Sequence, residues 1–177
     1  VPVDGIPAQA GFTVSATAAG GSAASTLLSS IQVVGTVAGV SLDVDYSIDG
    51  QIHAMTLTFS PGSKIMPDET VVLTVTHMQP PPETNCTPVI SSPPSAFLTA
   101  GWAKSSNSIV LSVAEVIDKG TEVSFTLTKG AMIRFEDDFD FSAIKGTLTI
   151  NAADGPVFGS RVAITGRLRN ASAQNET

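Results

Sequence analysis

The sequence predicts an all-β protein, an Ig-like or jelly-roll β-sandwich with a detached N-terminal strand. Apolar and polar residues alternate with a period of two from Thr36 onward, and turn-forming residues recur at intervals of roughly 8 to 12 residues. Only one segment, Ser22 to Val34, has helical spacing, through Leu27, Leu28, Ile31 and Val34.

The N-terminal arm, residues 1–17, comes first. Val1, Val3 and Ile6 stand among prolines, and Gly11-Phe12-Thr13-Val14-Ser15-Ala16 alternates as a short strand. Ala18 to Ala24 is a run of Ala, Gly and Ser, so residues 18–30 read as a flexible tether. An arm on such a tether can leave its own body. A neighbouring subunit with an unsatisfied sheet edge would receive it, through main-chain hydrogen bonds and pockets for Val3, Ile6, Phe12, Val14 and Ala16. Repeated head to tail, that contact builds an open filament. Pairing of the strand within its own sheet is the competing expectation.

Residues 31–169 form the sandwich body. Val40, Leu42, Val44 and Tyr46 alternate with Ser41, Asp43 and Asp45, and Ile48-Asp49-Gly50-Gln51 turns the chain into Ile52 to Phe59, a hairpin. Pro61-Gly62 and Pro67-Asp68 punctuate the approach to a β-branched run from Val71 to Thr76. The proline-rich stretch 79–95 cannot donate regular ladder hydrogen bonds and is expected as an exposed loop. Ser108 to Val116, Thr121 to Thr128, Ala131 to Phe135, Gly146 to Ile150 and Arg161 to Leu168 read as further strands. Lys119-Gly120, Lys129-Gly130 and Asp154-Gly155-Pro156 separate them.

Asn85-Cys86-Thr87, Asn170-Ala171-Ser172 and Asn175-Glu176-Thr177 match the N-glycosylation acceptor pattern, which places Asn85, Asn170 and Asn175 on exposed segments of a secreted chain. Residues 170–177 are then an exposed, glycosylated tail. Charged residues make up 14% of the chain, against about 25% in ordinary globular proteins, so hydroxyls and amides must cover the surface. The net charge of −7 opposes a grip on nucleic acid or anionic lipid. Cys86 is the sole cysteine and has no partner within the chain for a disulfide. No apolar run reaches the length of a membrane span, and a chain that opens on Val1 without Met reads as a processed form.

Catalytic equipment is sparse. His53 and His77 approach each other only if their strands pair, and no third ligand stands at metal spacing. The Gly-x-Ser-x-Gly elbow of a serine hydrolase is missing. Glu136, Asp137, Asp138 and Asp140 concentrate carboxylates enough for calcium, but without EF-hand spacing, and solvated turn residues are the plainer reading. The expectation is a protein without cofactor and without enzymatic activity.

Phe12, Val14 and Ala16, the tether from Ala18 to Ala24 and the three acceptor sites together resemble donor-strand-exchange subunits, most closely those of glycosylated pilus-like extracellular filaments from eukaryotic microbes. The resemblance is architectural. It implies a fibrous role in which the partner is another copy of the same chain, joined by strand insertion. The chain departs from bacterial chaperone-usher pilins in lacking their usual cysteine pair. The alternative is a monomeric extracellular adhesion or carbohydrate-binding module, which predicts a self-paired N-terminal strand and an exposed aromatic platform around Trp102 or Tyr46.

Overall fold

The computed structural model describes residues 13–27, 35–79, 89–92, 96–128 and 133–169. Its strands are β1 (Thr13–Ala18), β2 (Gly21–Leu27), β3 (Val37–Ser47), β4 (Ile52–Pro61), β5 (Thr70–Val75), β6 (Met78–Gln79) and β7 (Val89–Ser92). They continue with β8 (Phe97–Ala103), β9 (Ser108–Val113), β10 (Val123–Thr128), β11 (Arg134–Phe135), β12 (Gly146–Asn151) and β13 (Val157–Arg169). A single 3-10 turn, Phe141–Ala143, is the only helical element among the described residues. The fold is all-β, as the alternation predicts.

Nine strands form one sheet in the order β7-β10-β4-β3-β13-β12-β5-β9-β8. The sheet is sandwich-like because β13 belongs to two halves of it. Its first part pairs antiparallel with β12, ending at Val162 opposite Gly146, and Ala163 to Arg169 then runs parallel to Ser41 to Ser47 of β3. Curling brings the far strands back together, so that Phe97 of β8 meets Phe125 of β10 edge to face at 5.8 Å. Period-two burial builds the core: Met55, Leu57 and Phe59 from β4, Val71, Leu73 and Val75 from β5, and Val123, Phe125 and Leu127 from β10 all point inward. Thr56 and Thr126, opposite each other on the outward face, share a hydrogen bond of 2.8 Å.

The two ends of the sandwich are knitted separately. At one, Gly35 donates its N–H to Pro156 at 2.9 Å, Gly62 donates to Thr36 at 2.7 Å, and Ile65 bridges Ile117. At the other, Gln51 bridges Arg134, Glu136 donates its N–H to the carbonyl of His77 at 2.8 Å, and the C-terminal end of β13 lies beside Ser47.

Several local expectations are corrected. Within the expected tether, 18–30, Gly21–Leu27 is a strand that pairs with β1 across a two-residue Ala19-Gly20 turn. The helical spacing from Ser22 loses to that pairing, since Ser25 and Thr26 compete poorly for a helix and the Gly-rich turn favours a hairpin; residues 28–34 lie outside the described residues. Inside the proline-rich stretch, Val89–Ser92 forms β7 with β10. Among the described residues it is an edge strand, bonded on one side only, which is where neighbouring prolines are tolerated. β8 has no counterpart among the expected strands, and β13 begins four residues before Arg161.

Candidate assembly surfaces

β1 and β2 form a two-stranded sheet of their own, outside the nine-stranded one. Every side chain of β1 is exposed, Val14 by 55%. Alternation gives this strand two unlike faces, with Val14, Ala16 and Ala18 on one and Thr13, Ser15 and Thr17 on the other. No residue from Gly5 to Leu42 carries a charge. One edge of β1 is bonded to β2, and the other has no ladder partner among the described residues.

The second surface is the C-terminal half of β13. Because β12 stops at Gly146, Ala163 to Arg169 is bonded to β3 on one side and has no ladder partner on the other among the described residues. Its outward residues are engaged. Thr165 donates to Asp43, and Asp45 holds Arg167 at 3.9 Å and Arg169 at 3.0 Å across the parallel ladder. Its inward residues are Ile164, half-buried, Gly166, and Leu168, 48% exposed. Beside the strand runs a groove lined by Phe141, Ile144, Lys145, Arg161, Val162 and Ile164.

Aromatic rings close this end of the sandwich. Tyr46 stacks on Phe141 at 5.0 Å and meets Phe135 and Phe139 edge-on, while Phe135 stacks on Phe139 at 4.6 Å. Gly166 makes room for this, since a Cβ there would fall 2.2 Å from the Phe141 ring. Tyr46 is thus half-buried among rings and Trp102 is buried in the core at 5% exposure. The two aromatic residues named for a sugar platform pack inward or sideways here.

The carboxylates of the acidic run diverge. Glu136 faces His77 at 3.1 Å, Asp137 pairs with Arg134 at 2.6 Å, and Asp140 caps the 3-10 turn. Asp138 adopts a left-handed backbone with φ of 62°. Among the described residues no three metal-ligating side chains converge. The pairing that would bring His53 and His77 together does not form, since β4 pairs with β3 and β10 and β5 pairs with β12 and β9.

The capping contact makes a testable electrostatic prediction. Ser142 donates its hydroxyl at 2.8 Å and its backbone N–H at 2.9 Å to Asp140, and the hydroxyl chiefly holds this carboxyl below its ordinary pKa. With the folded value depressed, the contact stabilises the fold above the ordinary aspartate range, and that contribution fades as pH falls through the lowered pKa. Ser142→Ala should move the Asp140 titration upward in a carboxyl-carbon NMR experiment. An unmoved titration would remove the hydroxyl as the cause.

Val14 and Ala16 lie on β1 with their side chains exposed. Val3, Ile6, Phe12, Asn85, Cys86, Asn170 and Asn175 lie outside the described residues. The β13 edge was missed by sequence reasoning. Its only sequence signal is Ile164 and Leu168 at even spacing with Thr165 and Arg167 between them, which any strand would share.

The fold and these surfaces define an all-β, sandwich-like protein with an exposed N-terminal ribbon and, among the described residues, an unpaired edge on the C-terminal half of β13. No protein-family model matches the chain, and no curated protein matches it in sequence.

Proposed function

We propose that the chain is a structural subunit of an extracellular, glycosylated filament, polymerising head to tail by β-strand insertion, with the N-terminal segment as the inserting element. The observation that carries this reading is the β1–β2 ribbon, which stands outside the main sheet with all β1 side chains exposed. An isolated two-stranded ribbon is marginal in water and gains most by joining a larger sheet. A ribbon without charged residues adds to a neighbour of net charge −7 without bringing like charges together. The acceptor sites at Asn85, Asn170 and Asn175 would carry N-linked glycans that sheath the fibre, and no catalytic role is proposed. The filament would lie outside the cell.

Removal of residues 1–27 tests the reading, since the described ones among them, 13–27, form the β1–β2 ribbon and not part of the nine-stranded sheet. The truncated chain should keep its β-type circular dichroism and cooperative melting yet sediment as a monomer under conditions where the full chain assembles. A truncated chain that assembles as before, or that loses its fold, would count against it.

A further inference from the structure

An edge strand of a complete sheet has its core-facing side chains covered. β8 meets that standard, with Ala100 at 0% and Trp102 at 5% exposure although nothing pairs with its outer side among the described residues. The C-terminal half of β13 does not. Its inward Leu168 is 48% exposed and Ile164 only half-buried, next to a groove with Phe141 and Ile144 in its wall. Among the described residues, therefore, no strand stands beside residues 163–169 to complete the main-chain bonding or to cover Leu168.

We propose that the missing strand is β1 of a second copy of this chain, added through its free edge to β13 at Ala163 to Arg169. This rests on the filament reading above and names its receiving site. The faces match: Val14, Ala16 and Ala18 extend the layer of Ile164 and Leu168, and Thr13, Ser15 and Thr17 extend the outward layer that contains Thr165. The ends match too. Gly35, where the described chain resumes after the ribbon, is tied to Pro156 at one end of the sandwich, whereas Arg169 lies beside Ser47 at the other. With Gly35 at one end of the body and the receiving edge reaching the opposite end, addition of a neighbour's ribbon is a head-to-tail contact, which does not close on itself in a dimer. Two strands are added at once, so β2 becomes the new outer edge.

Paired cysteines test this in full-length chains carrying Cys86→Ser. One chain carries Val14→Cys; the other carries Ile164→Cys or Leu168→Cys, which covers either strand direction. Mixing under mild oxidation should give a disulfide-linked dimer of the two different chains for one pairing, and a chain with both cysteines of that pairing should give a ladder of covalent oligomers. A disulfide within single chains, with no ladder, would mean that β1 occupies the edge of its own subunit and would overturn the proposal. Leu168→Lys places a charge on an exposed inward position and should weaken self-association by about tenfold while leaving the melting transition in place. If chains without residues 1–27 fail to assemble but Leu168→Lys assembles normally and neither pairing cross-links, this receiving site is wrong and the filament reading stands. If the unmodified chain never assembles, the filament reading itself falls.

Discussion

Phe125→Ala should destabilise the protein by about 3–5 kcal/mol, with a lowered urea midpoint and an unchanged slope. Phe125 is fully buried on β10, lies opposite Leu57 of β4, and touches Phe97 of β8 edge to face. It therefore links the end strand β8 to the second strand from the opposite end of the sheet. Removing the ring loses its transfer energy and opens a cavity between strands that are far apart in ladder order, where neither half can follow the other inward without breaking its own pairing. A domain of this kind has roughly 5–15 kcal/mol in total, so the variant should be partly unfolded at moderate temperature. Phe125→Leu, which keeps most of the volume, should cost only about 1 kcal/mol. Equal losses for the two variants would show that ring closure across the curl is not what Phe125 supplies.

Gly35→Ala should cost about 3 kcal/mol, near the upper end for overpacking, because the obstacle is main chain. A Cβ at Gly35 would lie 1.9 Å from the carbonyl oxygen of Gly155 and 2.6 Å from its carbon. Neither can rotate aside. The substitution must push apart the contact in which Gly35 donates to Pro156, and that contact anchors the segment leading into β3. Gly20→Ala supplies the control, since nothing lies within 4 Å of a Cβ there. Thermal melting should separate the two variants clearly; similar transitions would mean that the junction yields more easily than its geometry implies.

The body was legible where one face of a strand is buried and the other wet. Leu42 and Val44 alternate with Asp43 and Asp45 because the inward positions fill the core while the outward ones meet solvent, Thr165 and the arginines of β13. β8 was not legible, because Ala100, Gly101 and Ala103 have weak strand preferences and are held by pairing with β9. β2 was hidden for a related reason: Leu27 and Leu28 suggest a helix until β1 is brought alongside Gly21 to Leu27. For the candidate surfaces, the apolar alternation of Val14 and Ala16 could be read directly. The β13 edge, unpaired among the described residues, could not, since it depends on where β12 ends and on a parallel pairing with β3 across more than a hundred residues of chain. Charge density in the acidic run was equally visible, but its division among His77, Arg134 and Ser142 is a property of the folded loop.

The central claim is that this chain assembles through its N-terminal ribbon, and electron microscopy of the purified full-length protein tests it most directly. The account predicts unbranched fibres whose axial repeat is close to the length of one sandwich domain, and their loss when residues 1–27 are removed. Dispersed single particles at every concentration tried, or fibres that persist without those residues, would contradict it.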